Sequence, residues 1–400
     1  MSDPTTAPPT SGSTAAEDEN ALPTIADDLV VTKYKMAAEI TNRVLKEAIE
    51  LCVVGTSVRS ICVQADKRIE EETSQAFKKD KKISKGIAFP CCVSVNNCIC
   101  HYSPLSTDPD VKLQDGDMVK IDMGAHIDGF ITVVAHTVVV GASKDNKITG
   151  RKADAMLAAH LASEAALRLA KTGNETYAVT DAVQKIAESY ECKPIEGMLS
   201  HQLEQNIIDG AKTIIQNPSE AQRKEHDKYD FELHEVYAID VLISTGEGQG
   251  REKDTKITIY KKTDETYMLK MKNSREFFSN VTKKFGTMPF TLRALDSETK
   301  AKMGVVECVA HKLVEPFQVL YEKDGEHVAQ FKFTVLLMPN GPHKITGIPF
   351  DTELAQSDKK IEDLDIQKLL KTSANPKAAK KKKKAAEKAV TEGVPQLVEQ

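Results

Sequence analysis

The sequence predicts an α+β fold made of two similar helix-helix-sheet halves, and three observations carry that prediction. Residues 39–69 and residues 156–186 share one pattern, an amphipathic helix, a glycine and a second helix. With Gly55 set on Gly173, Ile61 and Ala65 fall opposite Val179 and Val183, at the spacing of one helix face in both halves. Each segment is followed by strand-like sequence. At 400 residues, 40% hydrophobic and 28% charged, the chain can bury a large core. A pseudo-twofold duplication of this kind places a central site between its halves.

Taken in order, residues 1–24 form a tail that is rich in Pro, Thr, Ser and Ala up to about Pro23, has little to bury and is expected to be disordered. The fold begins near Ile25. Beyond the first helix pair, VKIDMGAHIDGFITV, Val119 to Val133, lays out a strand pair. Val119 and Ile121 alternate with Lys120 and Asp122, so a half-buried strand projects Lys120 and Asp122 from one face. Gly124 and Gly129 supply turn chemistry. The β-branched run from Ile131 to Val140 is the returning strand and brings position 133 back beside Asp122. Two divalent cations about 3.5 to 4 Å apart need carboxylates between them, and hard oxygen ligands with a histidine suit such ions. Val133 has no lone pair to offer a metal.

The runs NNCICHYSP, KIDMGAHIDG, EGMLSHQ, EVYAIDVLISTGEG and AQFKFTVLLMP, in this order, resemble the motifs of type 2 methionine aminopeptidases of the M24 peptidase family. The resemblance implies the pita-bread fold over residues 25–350, with an insertion at about 251–313. It also implies a ligand set of two aspartates, a histidine and two glutamates, which falls here on Asp122, Val133, His201, Asp240 and Lys332. Asp122 and His201 are kept, Asp240 is one methylene shorter than the glutamate, and Lys332 reverses the sign at a bridging position. His101 of HYSP keeps a substrate-side histidine, while a second one falls on Asp209. An ammonium at Lys332 is expected to lie between Asp122 and Asp240 and neutralise carboxylates that buried metals would otherwise neutralise; the plainer reading is a lysine that points to water.

The runs TIADDLVVTKYKMA, SKGIAFP, IDGAKTIIQNP and MGVVECVAHKL carry the resemblance further, to the proliferation-associated, ErbB-receptor-binding proteins, which keep the aminopeptidase fold without the activity. The implied function is a non-catalytic regulator that binds ribosomal RNA, structured RNA and ribosomes and acts in ribosome biogenesis, translation and growth-linked transcription. Implied further partners are receptor tails and transcription-corepressor proteins. The implied localisation is cytoplasm and nucleus, including the nucleolus. No catalytic residue, cofactor or metal is expected.

In the insertion, NSREFFSNVTKKF has a serine cap and Phe277, Phe278, Val281 and Phe285 at helical spacing, the pattern of a small helical subdomain. The resemblance turns this insertion toward the ribosome, with Lys283, Lys284 and Arg293 as contacts. Residues 351–370 form a short helical extension in which Ile361, Leu364, Ile366 and Leu369 are the apolar positions. IQKLL, with Ile366, Leu369 and Leu370, approximates a box that docks into hydrophobic grooves; packing back on its own domain is the alternative. Residues 371–400 form a lysine-rich disordered tail. Its Lys377, Lys380, Lys381, Lys382, Lys383, Lys384 and Lys388 suit polyphosphate binding or nuclear targeting. No aromatics are interleaved for base stacking. Lys33 and Lys35 add to nuclear targeting, and Lys78, Lys79, Lys81, Lys82 and Lys85 end the second helix, where they also suit its dipole.

A formal net charge of -5 excludes a whole-protein field for nucleic acid and leaves local patches to do that work. The eight cysteines fit neither a secreted disulfide framework nor a paired zinc motif and read as reduced, buried thiols. No signal sequence and no membrane-spanning run is found, so membrane insertion is not expected. Two rival functions stay open. A residual metal-dependent aminopeptidase needs one metal on Asp122, His201 and Asp240 with Asp128 or His101 recruited. A protein-interaction scaffold or transcriptional corepressor needs no RNA-led role.

Overall fold

The computed structural model describes residues 22–374. The expected N-terminal tail up to residue 21 and the basic positions Lys377, Lys380 to Lys384 and Lys388 lie outside the described residues.

Two helix pairs form as the repeat predicts. Helix α1 (Asp28–Glu50) and helix α2 (Val58–Gln75) make the first pair, α3 (Gly150–Leu169) and α4 (Thr176–Ser189) the second. Gly55 and Gly173 join the members of each pair at φ +85° and +86°, a backbone that side-chain-bearing residues rarely adopt. Ile61, Ala65, Val179 and Val183 are all buried.

One antiparallel sheet joins the halves. The main path of its nine strands runs through β1 (Lys85–Val95), β2 (Met118–Ile127), β3 (Phe130–Val139), β4 (Leu199–Gln202), β5 (Thr213–Ile215), β6 (Val236–Ser244) and β7 (Val328–Met338), in the order β1-β2-β3-β7-β6-β4-β5, with the short strands Lys193–Pro194 and Gly341–Lys344 paired to β6 and β7 off that path. Two-residue alternation gives each face its job. On β2, Val119, Ile121, Met123, Ala125 and Ile127 pack into the core under α1 and α2. On β6 and β7, Tyr237, Ile239, Val241 and Ile243 join Phe331, Phe333 and Val335 in the core under α3 and α4. The even-numbered residues Asp122, Asp240 and Lys332 are left for the opposite face, where the site forms.

The hairpin between β2 and β3 turns on two residues, Asp128 (φ 56°) and Gly129 (φ 78°), with Ile127 opposite Phe130. That turn fixes the register two residues away from the expected one. Ala135, not Val133, stands opposite Asp122, and Val133 stands opposite Gly124. Gly124 is therefore no turn residue. It sits in mid-strand, where a Cβ would come within 2.7 Å of the Thr132 carbonyl and 2.9 Å of Val133.

The insertion follows β6 and packs helices α5 (Lys272–Lys284) and α6 (Glu298–Ala310) around Phe277, Val281, Phe290, Leu292, Val305 and Cys308. The expected serine cap is corrected: α5 begins at Lys272, so Ser274 lies inside the helix and is fully buried. Likewise α2 ends at Gln75, before the first lysine of the 78–85 cluster, which therefore does not terminate the helix.

In the C-terminal extension, helix α7 (Leu364–Lys371) is capped by Asp363, whose side chain accepts from the N–H groups of Asp365 and Ile366. Ile361 and Ile366 are buried in the core with α3, and Leu369 and Leu370 pack against them. This corrects the docking-box reading of Ile366, Leu369 and Leu370, since the apolar side of the helix is already covered by its own domain. Leu364, expected on that side, is 67% exposed. All eight cysteines are free and buried. Among the described residues no helix is long and apolar enough to cross a membrane.

Candidate functional site

The register of the central strands lines up four side chains in one row. Asp122 on β2 faces Ala135 on β3; Ala135 and Asp240 on β6 flank Lys332 on β7. Residues opposite each other across a sheet share a face. The small Ala135 side chain leaves room for Lys332 to reach across to Asp122, and its Nζ lies 2.5 Å from Asp122 Oδ2 and 3.0 Å from Asp240 Oδ2. The Lys332 side chain is 14% exposed, so it does not point to water. Phe89 covers it, with the ring centroid 5.6 Å from Nζ.

Gln330, two residues earlier on the same face of β7, is a site residue that sequence reasoning missed. Its Nε2 donates to Asp240 Oδ1 and Oδ2 at 2.9 and 3.1 Å. The signal was available in the alternation of AQFKF, which puts Gln330 beside Lys332.

Three charges thus meet in a buried space, two carboxylates against one ammonium. Burial works against the Lys332 ammonium, but Asp122 and Asp240 outweigh it and hold its pKa above the ordinary lysine value. Burial raises the Asp240 carboxyl above the usual carboxylate range, the Asp122 charge adds to the rise, and Lys332 with Gln330 offsets only part of it. One lysine does not fully balance two acids.

Two members of the row, Lys332 and Asp240, line a cavity of about 310 Å³ whose walls include Phe89, Met198, Ile208 and Phe317. Val133, His101, His201 and Asp209 also line it. His101 Nδ1 donates to the Gln318 carbonyl at 2.8 Å, and the ring meets Phe317 edge-on. Burial, and in second place for His201 the Lys332 charge, lowers both His101 and His201 to about 4, so both are neutral at neutral pH. His201 Nδ1 and Asp122 Oδ1 are buried without a hydrogen-bond partner. Asp209 is ion-paired with Lys261, which also approaches Glu315 at 3.6 Å.

An ammonium lies within 3.0 Å of both carboxylates, where a cation between them would have to sit. Val133 brings a hydrocarbon to the cavity. Among the described residues no group of three or more His, Cys, Asp or Glu is placed to hold a metal. The residues present do not fit two divalent cations. Asp128, a candidate recruit, is held by Lys33 at 2.5 Å.

Other predicted positions lie elsewhere. Lys33 is committed to Asp128 and to the Phe130 ring, with its side chain 12% exposed, which corrects its reading as a free targeting lysine; Lys35 is exposed. Lys283 and Lys284 are exposed on α5, and Lys284 Nζ donates to the Ala294 carbonyl. Arg293 is not a surface contact. Its guanidinium is buried against Asp66 at 2.5 Å and donates to Ser103 Oγ and the Pro104 carbonyl, so it ties the insertion to α2.

The model of metallopeptidase family M24 matches residues 32–255. The chain is 47% identical over 367 residues to the ERBB-3 binding protein 1 of Arabidopsis thaliana, covering 91% of each. It is 44% identical over 362 residues to the curved DNA-binding protein of Schizosaccharomyces pombe, covering 90% of this chain and 94% of that one. It is 43% identical over 364 residues to proliferation-associated protein A of Dictyostelium discoideum, with the same two coverages. Among solved structures, a thermophilic Arx1 superposes with a TM-score of 0.81 at 35% identity, over 87% of this chain and 99% of that one. A methionine aminopeptidase from Rickettsia prowazekii shares the fold, with a TM-score of 0.54 at 13% identity over 82% of this chain and all of that one.

Proposed function

The chain belongs to metallopeptidase family M24, among the ErbB-3-binding and proliferation-associated proteins, and we propose that it is a non-catalytic member that binds RNA and ribosomes. The observation that carries the non-catalytic part is the Lys332 ammonium between Asp122 and Asp240. A two-metal peptidase uses its cations to generate a nucleophile and polarise a carbonyl. Here the positions Asp122, Val133, His201, Asp240 and Lys332 are the remnant of that site, with a fixed organic cation in place of metal charge. The relatives named as binding proteins support the same direction.

The nucleic-acid part rests on the lysine run Lys377, Lys380 to Lys384 and Lys388, with Lys35, Lys283 and Lys284 as exposed additions. Lysines set against phosphates release counterions and bind without reading sequence. A relative named for binding curved DNA supports a phosphate-backbone mode. Ribosomal RNA and ribosomes are the proposed partners, in the cytoplasm and in the nucleus and nucleolus, with roles in ribosome biogenesis, translation and transcription control. Receptor-tail binding is proposed on the name of the Arabidopsis relative.

The test compares the full chain with a deletion of residues 375–400, which leaves α7 intact, against a structured ribosomal RNA and purified ribosomes over a range of salt. The reading expects binding that falls steeply with salt and weakens on deletion. Absence of binding by the full chain to both targets overturns it. RNA affinity unchanged by the deletion overturns the assignment to the tail and favours the scaffold reading.

A further inference from the structure

A second cavity, of about 290 Å³, lies between the 102–111 loop and the 254–256 stretch near the start of the insertion. It shares no lining residue with the Lys332 cleft. Its walls are apolar and aromatic, chiefly Val95, Val111, Tyr102 and Tyr321. Its distinctive polar group is Asp108, whose side chain is only 10% exposed.

The two oxygens of Asp108 have different fates. Oδ2 accepts the Leu105 N–H at 2.8 Å and closes a turn of the loop. Oδ1 is buried with no hydrogen-bond partner. The nearest cation, Lys256 Nζ, stays 3.7 Å away on a side chain that is 69% exposed. A buried carboxylate oxygen without a donor is costly, and a cationic N–H donor relieves that cost. The aromatic wall points the same way. Lys253 Nζ already stands 5.1 Å from the centroid of the Tyr321 ring, as expected of an electron-rich face that attracts cations.

We propose that this cavity is a binding site for a cationic nitrogen on an aliphatic stem, as carried by a lysine or arginine side chain of a partner polypeptide. The stem lies against Val95, Val111 and Tyr102, and the nitrogen pairs with the Asp108 carboxylate. The volume is at the lower edge of the roughly 300 to 1,000 Å³ range of small-molecule sites, which suits one side chain. Lys256 is an internal competitor at the mouth. The proposal is independent of the RNA and ribosome reading, because it uses neither the lysine tail nor the Lys332 row.

The experiment labels the nine tyrosines of the full chain with 3-fluorotyrosine and follows the fluorine spectrum during titration. Tyr102→Phe and Tyr321→Phe assign the two signals. The probes are n-butylguanidinium, n-butylammonium and butyrate. Saturable shifts of Tyr102 and Tyr321 with the cations but not with butyrate are expected. Asp108→Asn keeps an acceptor for the Leu105 N–H and should weaken cation binding at least tenfold. Lys256→Met should tighten it severalfold. Cation affinity unchanged in Asp108→Asn, equal response to butyrate, or no response to either cation overturns the proposal. Should Asp108→Asn fail to fold, Lys256→Met decides, and unchanged cation affinity in it counts against the site.

Discussion

Replacing Lys332 by methionine keeps most of the side-chain length against Phe89 and removes only the positive charge. In the native row one ammonium lies 2.5 Å from Asp122 and 3.0 Å from Asp240. At an effective dielectric near 20, those distances correspond to gross attractions of about 7 and about 6 kcal/mol. Burying three ions offsets most of this, at several kcal/mol per ion. What remains after substitution is a pair of buried carboxylates with no cation, and breaking a buried pair by removing one partner costs about 3 to 5 kcal/mol. Urea unfolding at pH 7.5 should show that loss. The row then carries two negative charges instead of one net negative charge, so one carboxyl takes up a proton well above its ordinary pKa. A folded-state pKa above the unfolded one gives stability that is present at low pH and lost as pH rises. The gap between Lys332→Met and the native protein should therefore narrow from pH 7.5 to pH 5.5. Manganese should stabilise the variant more than the native chain, because only the variant leaves an uncompensated carboxylate pair. A loss below about 1 kcal/mol at pH 7.5, or a gap that is the same at both pH values, would refute the reasoning.

Other consequences are equally open to measurement. Burial lowers His101, His126, His136 and His201 to about 4, so the unfolded chain takes up protons near pH 5 that the folded chain does not. Stability should be fully present above pH 6.5 and fall as pH drops toward 4, by up to about 3 kcal/mol per histidine; a flat unfolding free energy between pH 7 and 4.5 would contradict this. Arg293→Met strands the buried Asp66 and should destabilise the fold by about 3 to 5 kcal/mol, whereas Lys283→Ala with Lys284→Ala should change stability by about 0.5 kcal/mol or less. Ile366→Ala should cost about 2 kcal/mol or more and speed hydrogen exchange in α7; unchanged exchange would mean the helix does not depend on that contact.

Much of the fold was legible because the signals were local. The glycine that joins each helix pair, the burial of every fourth residue around it, and the two-residue alternation of the strands all follow from helical and strand periodicity acting on neighbouring residues. Alternation also predicted that Asp122 shares a face with Lys120. The ion pair of Lys332 with both acids was expected from charge and from the resemblance of the strand motifs. What the sequence hid was register and non-local partnership. The step from Val133 to Ala135 depends on which residues close the turn: Gly124 and Gly129 both carry turn chemistry, and only Asp128 and Gly129, between Ile127 and Phe130, form it. Arg293 looked like one more surface cation because Asp66 stands 227 residues away. Lys33 was misread for the same reason, since Asp128 is 95 residues distant. Ile366 appeared free to dock because the face of α3 that covers it is equally remote. Gln330 needs no long-range information, since alternation along Val328–Met338 already places it on the Lys332 face; it is hidden only because a carboxamide is not among the expected metal ligands.

The most direct test of the central claim is elemental analysis of the purified full chain by mass spectrometry after incubation with manganese, cobalt and zinc, with cleavage of a Met-initiated peptide assayed on the same sample. The Lys332 bridge predicts less than stoichiometric metal and no cleavage. One or two equivalents of bound metal, with turnover that disappears in Asp122→Ala, would contradict it.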